Sequence, residues 1–187
     1  SSLEEKAKAK RDEAEPLKAN AVAESEVKSS RDKEAAQKAK AKEEETAADW
    51  EQQARTQDEA ARRALEKRNS ATSDKEQIRS EQQACQEELD SFNRSGKRLW
   101  PFNAPREELQ RRLDGYARDI DQRERDIKQA EKDQQEAEMR RDEMYAEASE
   151  IRTRATETYK EAVDIAEKSA AASVKYAKNR ATTLLKE

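Results

Sequence analysis

Histidine is absent from this 187-residue sequence, cysteine occurs once, glycine twice and proline three times. With no histidine and no second thiol the usual zinc sites are excluded, and Cys85 has no internal disulfide partner. Five turn-forming residues leave almost no punctuation for a chain of many short elements. Only 33% of residues are hydrophobic and 4% aromatic, against roughly half apolar in globular domains, so a thick core is excluded. No apolar run exceeds three residues, as at Ala170, Ala171 and Ala172, far short of the roughly 18 to 20 residues that cross a bilayer. The Lys/Glu-rich start has no signal-like apolar stretch, and no membrane insertion by this chain is expected. Charge of one sign is lacking too: 39 basic and 43 acidic residues leave a net charge of -4. Neither the general basic excess of a nucleic-acid binder nor a one-sign acidic tail is present.

What the sequence has is a repeat. Stepping by four and three from Leu109 to Thr183 meets Leu109, Leu113, Tyr116, Ile120, Ile127, Ala130, Ala137, Met144, Ala148, Ile151, Ala155, Ala162, Ile165, Ala172 and Tyr176, while the positions between are mostly polar. Upstream the same steps meet Ala47, Trp50, Ala54, Ala61, Ala64, Ala71, Ile78, Cys85, Leu89 and Phe92. A 3.5-residue repeat sustained this long specifies a left-handed coiled coil, not a disordered polyelectrolyte. Below Glu43 the frame finds only Ala36, Val22 and Ala19, and Ala35, Ala39 and Val27 suggest a slipped frame there.

Between the repeats, residues 93–105 hold Gly96, Pro101 and Pro105. Proline biases the residue before it away from helix, so Trp100 and Ala104 are expected to be non-helical, with Arg106 or Glu107 starting the return helix. Folding the chain there sets Leu89 beside Leu109, Cys85 beside Leu113, Ile78 beside Ile120 and Ala71 beside Ile127 without adjusting either frame. The expected fold is all-α: one domain, a long antiparallel two-helix coiled-coil hairpin. It has an outgoing helix over 16–92, a tip turn over 93–105 and a return helix over 106–187. Residues 1–15 form a helical or frayed N-terminal connection, and Pro16 suits the first turn of the outgoing helix. The return helix alone predicts a rod of roughly 120 Å at 1.5 Å per residue. The chain is expected to be a monomer, because each helix buries its seam within its own chain.

Several features have structural readings. Arg68, Lys75, Arg123 and Arg141 occupy core positions, with Lys75 facing Arg123 and Gln57 facing Arg141; such side chains are expected to snorkel to flanking carboxylates. Cys85 reads as a small buried hydrophobe. Gly115 costs a helix about 1 kcal/mol and marks a close approach or a bend. The run Glu43, Glu44 and Glu45 is a solvated face. No catalytic constellation, metal site or cofactor site emerges, and no enzyme activity is expected. The turn is different. Arg94, Lys97 and Arg98 carry three positive charges with no acid between Asn93 and Pro105, and Leu99, Trp100 and Phe102 place three large apolar groups among them. These aromatics either fold over Leu89 and Phe92 as a plug or form a binding surface. Tryptophan with arginine at an exposed tip favours binding.

At Phe92-Asn93-Arg94 and Arg98-Leu99-Trp100 the sequence resembles the receptor-binding domain of colicin-type bacteriocins, particularly the E group. There a coiled-coil hairpin has Phe-Asn-Arg before its tip and Arg-hydrophobic-Trp after it. The resemblance implies a secreted stalk acting at the target-cell surface. Its tip, Phe92, Asn93, Arg94, Lys97, Arg98, Leu99, Trp100, Phe102 and Arg106, would grip an outer-membrane receptor. It also implies a translocation domain before the fragment and a killing domain after it. Two other readings are an inert structural spacer and, less favoured, a nucleic-acid arm like the hairpin of seryl-tRNA synthetase. The alternating charge of the flanks argues against nucleic acid as a partner.

Overall fold

A computed structural model describes residues 2–95 and 104–186, with side chains described over 4–95 and 105–183. The described residues form two α-helices and no strand: α1 is Ser2–Arg94 and α2 is Ala104–Lys186. Their composition explains their length, since alanine, glutamate, lysine, glutamine and arginine are the strongest helix formers and nearly nothing interrupts them. The helices pack antiparallel as an all-α hairpin, with the buried seam drawn from both.

Three local expectations change. Residues 2–15 are helical, one of the two states expected of them, and run continuously into α1, so Pro16 lies inside that helix rather than in its first turn. The helix formers on either side carry the backbone through the one amide hydrogen bond that proline cannot donate. Ala104 is helical and opens α2. Pro105 then falls in the first turn, where its missing N–H has no intrahelical use, which offsets the bias it imposes on Ala104. A Cβ built on Gly115 meets nothing within 4 Å, so this glycine does not mark a close approach.

The chain divides into two compact units, Ser1–Glu51 with Ala146–Glu187, and Gln52–Tyr145. In the second unit the heptad frames hold throughout. Ala54, Ala61, Ala64, Ala71, Cys85 and Leu89 of α1 are buried, as are Leu109, Leu113, Ala130 and Ala137 of α2, while Ile78, Ile120, Ile127 and Met144 are half-buried. Three of the four interrupting cations reach flanking carboxylates as expected, while among the described residues Arg68 makes no such pair. Lys75 Nζ reaches Glu124 at 2.8 Å, Arg123 reaches Asp74 at 3.5 Å and Asp126 at 3.3 Å, and Arg141 reaches Asp58 at 3.2 Å. The Lys75 hydrogen bond, followed by its charge, holds the Glu124 carboxyl below the usual range. The Arg141 guanidinium is held more firmly protonated by its hydrogen bond to Asp142 and then by that to Asp58. On the solvated faces glutamines donate one turn ahead to acids: Gln83 to Glu87, Gln86 to Asp90, Gln110 to Asp114, Gln122 to Asp126 and Gln129 to Asp133.

In the first unit the heptad frame holds only in part. Ala47, Ala148 and Ala155 are buried where expected, and Ala36, Val22, Trp50, Ile151 and Ala162 are half-buried. Beyond Ala155 the seam positions of α2 become Tyr159, Val163, Ala166, Ala170, Val174, Ala177 and Ala181, of which Ala166 and Ala181 are buried and the others half-buried. These lie four, four and three apart, a repeat of eleven residues in three turns. On α1 the matching positions are Lys33, Ser29, Ser25, Val22, Lys18 and Ala14. Ile165 is consequently 66% exposed, Tyr176 70% exposed and Ala172 exposed, against the heptad expectation. The suggested slipped frame fails as well: Val27, Ala35 and Ala39 are exposed, and so is Ala19. The physical reason lies in both helices: beyond Ala155 the eleven-residue positions of α2 are all apolar whereas its heptad positions include Thr158, Ser169, Asn179 and Thr183, and on α1 the heptad positions below Ser29 include Glu26 and Glu15. The eleven-residue spacing replaces those two acids in the seam with Ser25 and Ala14. Ser25 Oγ donates to the Ala170 carbonyl at 3.1 Å, satisfying the buried hydroxyl. Lys33 Nζ bridges to Glu167 at 2.8 Å, and Arg152 pairs with Glu51.

Candidate functional site

The end of the second unit nearest the turn carries the largest apolar cluster. Cys85, Leu89, Leu109 and Leu113 are buried together, with Tyr116 packed against them. The Cys85 thiol points at the Leu109 carbonyl, Sγ to O 3.6 Å, the placement of a small buried hydrophobe. Leucines replace alanines here, so burial per residue is greater than along the alanine-rich middle. Arg112 reaches across to Glu88 at 3.8 Å, and its hydrogen bond with Tyr116 is the chief cause that raises its pKa. The turn thereby adjoins a cluster of buried leucines.

Four of the nine residues expected at the tip are described. Phe92 is half-buried on the seam side of α1, whereas Asn93 and Arg94 are exposed. Arg94 Nε donates to the Asp90 carbonyl at 3.3 Å, the Ser95 amide to Ser91 at 3.0 Å and the Ser95 hydroxyl to Phe92 at 2.8 Å. The two Ser95 bonds satisfy carbonyls that the last helical turn leaves without partners, and the Arg94 charge complements the negative end of the helix dipole. Arg106 is also exposed, in the first turn of α2. There the dipole disfavours a cation, and among the described residues no ion pair holds it. Lys97, Arg98, Leu99, Trp100 and Phe102, with the expectation that Trp100 is non-helical, lie outside the described residues.

Elsewhere the structure brings together groups that the heptad reading does not single out. Lys40 Nζ lies 5.3 Å from the centre of the Tyr159 ring, an arrangement within cation–π range. Beside it Glu43 Oε2 is buried without a hydrogen-bond partner, in a hollow of about 260 Å³ floored by Ala36, Ala39, Ala155 and Ala162. Helical spacing of Lys40 and Glu43 places them on one face, but the spacing does not reveal which ring they meet. Among the described residues no group of three or more His, Cys, Asp or Glu side chains could hold a metal ion, and no helix is long and apolar enough to cross a membrane. Compared with known proteins, the chain matches no family model, no curated protein and no solved structure.

Proposed function

We propose that the chain is the receptor-binding stalk of a bacteriocin, docking through its basic, aromatic turn on an outer-membrane protein of a target bacterium. The observation that carries the reading is the composition of residues 93–105. Leu99, Trp100 and Phe102 stand among Arg94, Lys97 and Arg98, with no acid in the segment. Arg106 extends this basic character into α2, at a position the helix itself does not favour. Large aromatics beside arginines are the residue mixture that dominates binding energy at protein interfaces. Their positive charge suits acidic loops on a receptor, speeding encounter and suppressing wrong partners. The resemblance at Phe92-Asn93-Arg94 and Arg98-Leu99-Trp100 supplies the receptor class. In this reading the helices are scaffold, the protein is secreted and acts at the target surface, and it works as a monomer. The translocation and killing activities belong to neighbouring domains of a longer protein.

Trp100→Ala, Phe102→Ala and Arg98→Glu test the reading in competition for sites on sensitive cells. The expected result is loss of competition with helicity within a few per cent of the parent, since all three fall between the described ends of α1 and α2. Undiminished competition by all three variants would show that the turn is a plug and that the chain is a spacer or binds elsewhere.

A further inference from the structure

The two flanks of the helix pair in the first unit differ in kind. Both ion pairs that cross the unit, Lys33–Glu167 and Arg152–Glu51, bridge the same flank. Helical spacing carries that flank on through Lys160 and Lys178 of α2 and Glu15, Glu26 and Gln37 of α1, all exposed, as a solvated side requires. The other flank has no crossing ion pair among the described residues. On α2 it runs through Thr158, Ala162, Ile165, Ser169, Ala172 and Tyr176, with no charge among them. On α1 Leu17, Ala21, Ala35 and Ala39 share it with Glu24, Lys28 and Asp32. Ile165 is 66% and Tyr176 70% exposed, and Leu17 is exposed as well.

α2 therefore has its closed seam and, beside it, a second uncharged stripe. A helix in a two-stranded coil needs about two apolar positions in seven, whereas one in a bundle needs about three. The wider face of α2 meets a single neighbour, α1, which covers only the seam. Two openings mark what stays uncovered. The hollow beside Glu43 is lined by Thr158 and Ala162 opposite Ala35 and Ala39, and farther along a groove of about 690 Å³ has Leu17, Ala21 and Lys28 on one wall and Ala172, Tyr176 and Arg180 on the other. From Thr158 to Arg180 the flank runs roughly 33 Å at 1.5 Å per residue, the length of a 22-residue helix. A cleft between two helices suits a cylinder and not a flat bilayer.

Charge narrows the occupant further. From Lys168 to Lys186 α2 has five cations and no acid. Lys28 and Arg180 face the groove without an ion-pair partner among the described residues, against the single acid Glu24. At the far end Glu43 Oε2 is a buried acceptor with no donor. We propose that this flank docks a third α-helix, supplied by a partner: an amphipathic helix of about 22 residues with an apolar face, acidic margins toward Lys28 and Arg180, and an amide or hydroxyl donor toward Glu43. Docking buries Leu17, Ile165 and Tyr176 and completes a three-helix arrangement. The site is separate from the turn and does not depend on what the turn binds.

The probe is a stapled 22-residue helical peptide with leucines on one face, glutamates along its margins and one asparagine near an end, labelled for fluorescence anisotropy and mixed with the intact chain. It should bind saturably, one peptide per chain, and a version with lysines in place of the glutamates should bind at least about tenfold more weakly. Ile165→Ser with Tyr176→Ser should weaken the glutamate peptide by at least about tenfold, and Arg180→Glu severalfold. Gln37→Ser with Ala171→Ser, on the opposite flank, should leave binding within about twofold. All these positions are exposed, so circular dichroism should show unchanged helix. Failure to saturate by about 1 mM would overturn the proposal. So would equal binding of the two peptides, or undiminished binding by the Ile165 and Tyr176 variant. Self-association of the parent that this variant abolishes in sedimentation would overturn it by making the stripe a contact between copies, and attachment to phosphatidylglycerol vesicles that the peptide does not displace would make it a membrane face.

Discussion

Leu113→Ala and Ile165→Ala make a matched pair whose costs should differ strongly, although a heptad count puts both residues in the core. Leu113 is 8% exposed, in the cluster with Cys85, Leu89 and Leu109, whereas Ile165 is 66% exposed. Truncating Leu113 removes three carbons, worth about 2.4 kcal/mol at roughly 0.8 per buried methylene. The term for a residual cavity is small, because a seam one side chain deep lets water or neighbours reach the gap; the expected cost is about 2 to 2.5 kcal/mol, near the lower end for buried leucines. Ile165 keeps only about a third of that contact, near 0.8 kcal/mol, and alanine returns several tenths through its better helix propensity, leaving a net cost of about 0.5 kcal/mol or less. Urea unfolding followed by helical circular dichroism measures both, the midpoints giving the comparison at constant slope. Equal losses for the two variants would refute the reasoning, since Ile165 would then be buried in the dominant state and the eleven-residue seam would be wrong.

Gly115→Ala should stabilise the chain by about 1 kcal/mol, because the helix gains propensity and the new Cβ meets nothing; thermal unfolding of the single variant checks it, and destabilisation would reveal a contact at that position. Glu124, whose folded carboxyl is depressed by Lys75, contributes stability that is fully present above the ordinary glutamate value of 4.5 and is lost as pH falls through its lower folded value. The stability gap between the parent and Glu124→Gln should therefore be constant at neutral pH and close only in acid. Cys85, 1% exposed, should react with thiol reagents far more slowly than a cysteine introduced at exposed Ser95, and matching rates would place it outside the seam.

The hairpin was legible because its signals agree at several levels. Heptad frames on both sides of the turn met without adjustment, and the second unit keeps them from Ala54 to Leu89 and from Leu109 to Met144. The escape of Lys75 and Arg123 to acids beside the seam was legible too, since a long cationic side chain at a core position has few other satisfactory arrangements. The drift beyond Ala155 was not. Its residues on α1, Ser25, Ser29, Lys33 and Lys18, are ones no hydrophobic count selects, and its all-apolar run on α2, Tyr159, Val163, Ala166, Ala170, Val174, Ala177 and Ala181, shows at an eleven-residue period and not under a heptad count. At the tip, Arg94 and Arg106 are legible from charge and from the resemblance, but the unfavourable placement of Arg106 against the helix dipole requires knowing where α2 begins. The helical start at Ala104 was hidden by a rule for the residue before proline that is a preference and not a prohibition.

The glutamine-to-acid bonds along the second unit bear on what outlasts the seam. Each joins side chains one turn apart on the same helix, so none is lost when the two helices part, and each adds roughly 0.2 to 0.5 kcal/mol to an isolated helix. An amide donor carries no net charge, and salt that screens the neighbouring lysine and arginine pairs leaves it largely intact. Stretches such as Gln83–Asp90 and Gln110–Asp133 therefore carry their own reinforcement, independent of any neighbour. A separated strand of this hairpin in brine would keep part of its coil count as helix, and closing the pair again would begin from partly ordered segments, with much of the entropic cost of nucleating those turns already met.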